Sequence, residues 1–115
     1  IVEHAILQVR PGQSAAFEAA ITKSRPRVAV QPGFQSIEVR QSDDDPERYL
    51  LLIVWDAIES HRDGFRQSPE YQQWRALLHH FYDPMPVVNY TAVDFVMIEL
   101  LSLLSAATGL GSLSD

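Results

Sequence analysis

The amino-acid sequence predicts an α+β fold with the element order β-α-β-β-α-β. Short apolar runs bounded by Pro and Gly turns indicate four strands, and two longer segments with helical spacing of apolar residues indicate helices between them. The chain has 115 residues, of which 46% are hydrophobic and 21% charged, and this suits one compact domain.

The first strand and the first helix are marked by turn and capping signals. Residues 2–9 are rich in Ile, Leu and Val and stop at an Arg-Pro-Gly turn, residues 10–12. Ser14 is placed to cap an Ala-rich helix that follows, and we expect Pro26 to disturb its end.

Two adjacent strands follow the Gln-Pro-Gly turn at residues 31–33. Residues 34–40 alternate between polar and apolar types, and residues 42–46 form a charged hairpin loop. Residues 49–55, YLLLIVW, then read as an uninterrupted apolar strand.

The C-terminal half of the predicted domain contains a broken helix and a last strand. Residues 58–66 and 70–81 have helical character, and Ser68-Pro69 separates the two pieces because proline suits the first turn of a helix. Residues 87–93 are β-branched and predict the fourth strand. The whole order is that of a ferredoxin-like split sheet with both helices on one face.

The third strand predicts that the other face of the sheet is also covered. A strand with one face in water alternates in polarity, and residues 49–55 do not. We therefore expect a homodimer in which the sheets of two chains pack together. The alternative is that another part of the same chain covers this face.

Composition excludes several classes of protein. Fifteen acidic and nine basic residues give a net charge of −6, which repels a nucleic-acid backbone. The chain has no cysteine, so disulfides, Cys-ligated zinc, iron-sulfur clusters and thiol catalysis are excluded. Glu3 and the lack of a basic region before an apolar core argue against a signal peptide, and we expect a cytoplasmic protein that lacks only its initiator methionine.

Several segments in this order resemble the antibiotic biosynthesis monooxygenase-like family of the dimeric α/β barrel superfamily. They are VEHAILQVRPG, QPGFQSIEVRQS, YLLLIVWDAIESH, FRQSPEYQQWRALL and YDPMPVVNYTAV. The most specific element is the strand that ends in Trp-Asp, followed by His61 and the Ser-Pro turn. The resemblance covers residues 1–93 and implies a two-chain barrel with a cavity between helices and sheet in each subunit.

The resemblance also implies candidate catalytic residues. In anthrone-oxidising members a strand tryptophan acts with an Asn, a Tyr and an Arg, and this chain matches with Trp55 and Arg75. It has Leu51 at the Asn place and His61 at the Tyr place. The implied reaction is a cofactor-independent monooxygenation of a small electron-rich phenol, anthrone or quinol. His61 would take the substrate proton and Arg75 would stabilise the anion.

The resemblance further implies a substrate-binding wall and no cofactor. The residues expected to contact a small aromatic molecule are His4, Leu51, Phe65, Tyr71 and Trp74. The haem-degrading members need an Asn, a Trp and a His ligand, and those places hold other residues here. We expect no metal site either, since His79 and His80 are adjacent on a helix and point about 100° apart.

Simpler readings of these residues stand beside the catalytic ones. Trp55 and Trp74 have the spacing of core aromatics, and a helical His61 beside two charged residues could be solvated. The period of two places His4 either in the cavity or at the dimer seam. The alternative function is a non-catalytic barrel that binds a small apolar ligand or acts in stress response. An isomerase or lyase on the same scaffold is a third reading.

The last segment, residues 94–115, extends beyond the resemblance and predicts an additional helix. From residue 95 to 110 it is apolar with Glu99 inside, too short and too polar to span a bilayer. Its apolar residues fall on two helical faces. We expect it to pack across the dimer or to make a higher oligomer. The alternative is that it lies on the helices or over the cavity of its own subunit.

Overall fold

The predicted element order is confirmed in the computed structural model, which describes residues 1–92. The strands are β1 (Val2–Gln8), β2 (Phe34–Gln41), β3 (Arg48–Trp55) and β4 (Asn89–Thr91), and the helices are α1 (Ser14–Ala29) and α2 (Pro69–Leu78). The predicted C-terminal helix, residues 94–115, lies outside the described residues. None of the described helices is long and apolar enough to cross a membrane.

The four strands form one antiparallel sheet in the order β2-β3-β1-β4. The two long central strands alternate between a face that packs on the helices and a face that does not. Side chains buried on the helix side of β3 belong to Tyr49, Leu51, Ile53 and Trp55. The apolar run of β3 therefore has period-two burial, which its composition did not reveal, because the open face also carries apolar side chains.

The open face of the sheet is apolar along its centre. Leu50, Leu52 and Val54 of β3 lie there and are half-buried in the single chain. Their register partners on β1 are Ile6, His4 and Val2, and Ile6 is 56% exposed. We call these six residues the open-face row.

Helix α1 differs from its prediction at both ends. The Ser14 cap is wrong, because the Ser14 hydroxyl donates to the Pro46 carbonyl and no side-chain cap is present. The helix also passes through Pro26 and ends at Ala29, so Pro26 does not end it. Its inward face places Phe17 in the core against Tyr49, with ring centroids 4.8 Å apart.

The segment after β3 is helical but not regular. The α-helix predicted over residues 58–66 is instead a π-helical turn, Ser60–Gly64, followed by a 3-10 turn, Phe65–Gln67. His61 and Phe65 both point into the interior from this segment, where they are 3% and 1% exposed. Single π turns inside helices are frequent at functional sites.

Helix α2 begins as predicted and ends earlier. Ser68 caps it by accepting a hydrogen bond from the Tyr71 amide at 3.2 Å, and Pro69 occupies the first turn. The α-helix ends at Leu78 and continues as a 3-10 turn, His79–Phe81. Within residues 87–92 of the predicted fourth strand, Asn89–Thr91 pair with β1, and residue 93 lies outside the described part of the chain.

The turn before β2 is joined to the start of the helical segment after β3. Gly33 has a φ of 85°, and its carbonyl accepts a hydrogen bond from the Asp56 amide at 2.9 Å. A side chain at this position would collide with the carboxyl of Asp56 and the hydroxyl of Ser60, which hydrogen-bond each other. Gly12 also has a positive φ, 77°, but open space surrounds it.

These two glycines give a matched stability test. Gly12→Ala is expected to lower the free energy of unfolding by about 1 kcal/mol, because only the left-handed backbone is strained. Gly33→Ala is expected to cost roughly 2 to 3 kcal/mol, because the collision adds to that strain. Urea unfolding with an unchanged m value measures both. Equal losses would contradict the role given to the Asp56 and Ser60 contacts.

Candidate functional site

A small cavity lies between the helix side of the sheet and the segment from the π turn to β4. It has a volume of about 50 Å³. Its wall is mostly aromatic and aliphatic, and the polar groups in it are Glu3, Arg66, His61 and His79. Concave apolar sites with a few convergent polar groups are the usual form of a small-molecule site.

Glu3 is a buried acid at the centre of this site. It lies on the helix side of β1 and is 4% exposed. Its Oε1 accepts a hydrogen bond of 2.9 Å from the indole Nε1 of Trp55. Burial raises the pKa of Glu3 to about 7, against the opposing effects of the Trp55 hydrogen bond and the Arg66 charge.

His61 faces Glu3 from the helical layer. Its Nε2 lies 3.4 Å from Glu3 Oε2, and its Nδ1 is 2.6 Å from the hydroxyl of Tyr90. Burial, with a smaller contribution from Arg66, lowers the pKa of His61 to about 4. At neutral pH the ring is therefore uncharged, with one nitrogen donating and the other accepting.

The sheet register brings these groups together. Glu3 is directly opposite Tyr90 on β4, so the two side chains share the helix side of the sheet. The Trp55 ring packs on His61 with centroids 5.6 Å apart and on Phe65 at 6.0 Å. Three strands and the π turn thus each contribute one member of a contact chain that runs Trp55, Glu3, His61, Tyr90.

Several residues predicted to form the site meet at this cavity. Leu51, His61, Phe65, Tyr71 and Trp74 all line it. Phe65 lies at the centre of the aromatic wall, edge-on to Tyr71 at 5.2 Å and to Trp74 at 5.6 Å. Trp55 is fully buried behind this wall and reaches the site through its hydrogen bond to Glu3.

Two predicted residues lie elsewhere. His4 is on the open face of the sheet, because Glu3 and Ala5 take the helix side and successive strand residues alternate. Among residues 1–92, its Nε2 atom is buried and has no hydrogen-bond partner. Arg75 is exposed on α2, since the inward positions are Trp74 and Leu78, and a helix turns about 100° per residue. The structure therefore does not bring His4 or Arg75 to the cavity.

Sequence reasoning missed Glu3, Arg66 and Tyr90. The signal for Glu3 was present, because it shares its strand face with Ala5 and Leu7, and a lone acid among buried positions is informative. Arg66 and Tyr90 depend on the π turn and on the β1–β4 register, which periodicity does not specify. Within residues 1–92 no three His, Asp or Glu side chains are grouped so that they could hold a metal ion.

A second, larger groove of about 350 Å³ lies between α1 and strands β2 and β3. Tyr49 there donates a hydrogen bond of 2.5 Å to Glu18. Its charged groups, Glu18 and Arg25, are exposed, whereas Glu3 and His61 are buried at the smaller cavity. The smaller cavity is the candidate because it brings a buried acid and a buried histidine together, and both have shifted pKa values.

The buried acid predicts a pH-dependent stability difference. Because the pKa of Glu3 is raised from 4.5 to about 7 on folding, wild type loses stability as pH rises through this range. Glu3→Gln has no such loss and can still accept from Trp55. Its stability relative to wild type should therefore increase by about 3 kcal/mol between pH about 4 and about 8.

Urea unfolding at several pH values measures this difference. His61 titrates in the opposite sense, since its lowered pKa destabilises the fold as pH falls below 6.5. Comparing the variant with wild type at each pH removes that contribution to a first approximation. The exposed Glu59→Gln controls for the amide substitution. Parallel curves for wild type and Glu3→Gln would contradict the raised pKa.

Comparison with known proteins identifies the family. Residues 1–77 match the family described as antibiotic biosynthesis monooxygenase, ABM. The uncharacterized protein YczJ of Bacillus subtilis (strain 168) is 38% identical over 88 residues, which are 76% of this chain and 93% of YczJ.

Solved structures agree in fold. A Bordetella bronchiseptica protein named "putative antibiotic biosynthesis monooxygenase" is 32% identical, with a TM-score of 0.75 over 80% of this chain and 95% of its own. SnoaB, a cofactor-independent oxygenase from Streptomyces nogalater, has a TM-score of 0.67 at 20% identity, covering 80% of this chain and 91% of SnoaB. The resemblance inferred from the sequence is confirmed: the chain belongs to the antibiotic biosynthesis monooxygenase family.

Proposed function

We propose that the chain is a cofactor-independent monooxygenase that acts on a small electron-rich aromatic molecule, a phenol, anthrone or quinol. The observation that carries the proposal is the buried Glu3 carboxyl, which is paired with His61 beside an aromatic cavity. The name of SnoaB, a cofactor-independent oxygenase of the same fold, supports this reaction class.

In this proposal Glu3 is the general base. A base is most effective when its pKa is near the working pH, and the pKa of Glu3 is about 7 whereas that of His61 is about 4. Both nitrogens of His61 are also engaged, with Glu3 and Tyr90. The resemblance implied that His61 takes the substrate proton. We assign that role to Glu3 instead, and His61 positions the Glu3 carboxyl.

The proposed chemistry for an anthrone balances without a cofactor. Glu3 removes one proton from the methylene carbon, and the carbanion gives one electron to dioxygen. The two radicals combine to a carbon–oxygen bond, and the peroxide takes a proton. Loss of the second C–H proton breaks the O–O bond and expels hydroxide, so that the products are the ketone and water.

Arg66 is the proposed partner of the substrate anion. Arg66 and Arg75 are both exposed, but only Arg66 lines the cavity and lowers the pKa of Glu3 and of His61 through its charge. A cation near the carbanion or phenolate stabilises charge where it develops.

Substrate entry requires the cavity to widen. A cavity that holds one benzene ring has a volume of roughly 150 Å³, and this one has about 50 Å³. Pro86 and Val88 border it in an irregular segment before β4 whose Val87 is 74% exposed. We propose that residues 86–88 move outward to admit the aromatic ring.

The second candidate function is non-catalytic binding of a small apolar ligand. The observation that favours it is Leu51, which is buried in the cavity wall where the resemblance leads one to expect a hydrogen-bonding Asn. A wall of this kind holds an apolar molecule but does not orient a phenol.

Oxygen uptake with a panel of quinols and anthrones separates the two candidates. Glu3→Gln is expected to lower kcat by about 100-fold or more, because a general base is lost. Arg66→Ala is expected to lower kcat/KM, while Arg75→Ala tests the arginine that the resemblance indicates. Loss of activity in Arg75→Ala alone would overturn the assignment to Arg66. No oxygen uptake by wild type, together with saturable binding of the same compounds, would support the binding function.

We also propose that the working form is a homodimer packed through the open-face row. Burying a large apolar side chain contributes roughly 1.5 to 3 kcal/mol, and Ile6 is 56% exposed in the single chain. A second copy would also give the His4 Nε2 a possible partner.

Light scattering on charge variants tests the dimer. Leu52→Glu places a carboxylate at the centre of the open-face row and is expected to give folded monomers, because an unpaired buried charge costs several kcal/mol. Val87→Glu introduces the same charge at an exposed apolar position away from the sheet and should leave a dimer. A monomeric wild type, or a dimer that survives Leu52→Glu, would contradict the interface.

A further inference from the structure

Tyr90 connects the buried acid to the surface. Its hydroxyl is 2.6 Å from His61 Nδ1, and the opposite nitrogen of the ring is 3.4 Å from Glu3 Oε2. Glu3 and His61 are 4% and 3% exposed, whereas Tyr90 is half-buried between two exposed residues of β4. The three groups therefore form a path from a buried carboxyl to the edge of the sheet.

We propose that Tyr90 is the outlet of a proton relay from Glu3 through His61, in which the two tautomers of the His61 ring accompany the two protonation states of Glu3. This use of the path rests on the proposed function, because it supplies the step that restores the base after each turnover. His61 lines the cavity and Tyr90 does not, and in the relay both act on the substrate only through Glu3.

The proton balance of the relay follows from the contacts. When Glu3 is protonated, its O–H faces the free electron pair of His61 Nε2, and Nδ1–H donates to the Tyr90 oxygen. Three transfers then occur together: Glu3 to Nε2, Nδ1 to Tyr90, and Tyr90 to water. Glu3 is left ionised and accepts from Nε2–H, Tyr90 donates to Nδ1, and one proton has reached solvent.

The relay requires a neutral histidine. A ring protonated on both nitrogens would hold the proton and could accept none from Glu3. Burial, with a smaller contribution from the charge of Arg66, lowers the pKa of His61 and so disfavours that state. Burial raises the pKa of the Tyr90 hydroxyl. Among the charged groups near it, Arg66 and Arg62 lower this pKa, and Glu3 and Asp63 raise it.

The remaining contacts hold the carboxyl in line. Trp55 Nε1–H donates a hydrogen bond to Glu3 Oε1, so that Oε2 is the oxygen that faces the His61 ring. The distance from Nε2 to Oε2, 3.4 Å, is longer than the usual 2.9 to 3.0 Å of an N–H···O bond. The relay therefore needs the ring and the carboxyl to approach by about 0.5 Å. His79 and Tyr82 line the same cavity but are not members of the path.

The test is nitrogen NMR of the unliganded protein labelled with ¹⁵N-histidine. The His61 signals are identified by their absence in His61→Asn. In wild type, the proton is expected on Nδ1 at pH about 5.5 and on Nε2 at pH about 8.5, with the change centred near the pKa of Glu3, about 7. The same tautomer at both pH values, or an imidazolium at the lower one, would overturn the proposal.

Tyr90→Phe separates a relay from a structural role. Without the hydroxyl, an Nδ1–H has no acceptor, so the variant should keep the proton on Nε2 at both pH values. A purely structural role would lower stability and leave the tautomer change intact. Tyr49→Phe is the matched control, because it removes a phenol that is bound to Glu18 in the other groove, and it should behave as wild type.

The readout needs no substrate, so it is independent of the proposed function. If the tautomer change occurs and no oxygen uptake is found, the relay stands and the oxygenase proposal fails. If oxygen uptake is found, Tyr90→Phe should lower kcat more than KM and increase the solvent isotope effect. Oxygen uptake with an unchanged tautomer would sink the relay alone.

Discussion

The hydrogen bond from Trp55 to Glu3 holds a carboxyl group where the chain would otherwise not tolerate one. Both residues lie on the helix side of the sheet, at the boundary between strands and helices. Burying an isolated carboxylate in this position would cost folding free energy. The raised pKa of Glu3 favours the neutral carboxylic acid, and the two oxygens lie next to Trp55 Nε1 and His61 Nε2. His61 faces this acid and stays neutral because burial, with a smaller contribution from the Arg66 charge, lowers the pKa of its ring. The candidate chemistry depends on that arrangement.

The π turn places His61 against the acid. His61 and Phe65 are four residues apart, a spacing that puts two side chains near one face of a helical segment, and both are buried. His61 then faces the polar end of the site, and Phe65 lies at the centre of its aromatic wall. One local irregularity thus joins a polar and an apolar region of one cavity.

The sequence was sufficient for the element order, which follows from turn signals and from apolar spacing. Five of the cavity residues were indicated by the resemblance to the family. The sequence was insufficient where the answer depends on which of two neighbouring residues faces inward. His4 and Glu3 are adjacent on β1. The chemistry of histidine made His4 the predicted site residue, but the strand period places Glu3 on the helix side of the sheet. Arg66, in the 3-10 turn before α2, lines the cavity, whereas Arg75, on α2, does not. Tyr90 required the β1–β4 register, which no local pattern specifies.

The turn at Gly33 has a consequence for how the site can evolve. The Gly33 carbonyl accepts a hydrogen bond from the Asp56 amide, and the side chains of Asp56 and Ser60 lie where a side chain of residue 33 would be. Ser60 is the first residue of the π turn, which contains His61. A change in the loop between α1 and β2 can therefore tilt the imidazole without contacting the cavity. Selection for a new substrate would be expected to enrich substitutions in this loop, outside the binding wall, because they adjust the angle between the ring and the carboxyl while every lining residue stays the same.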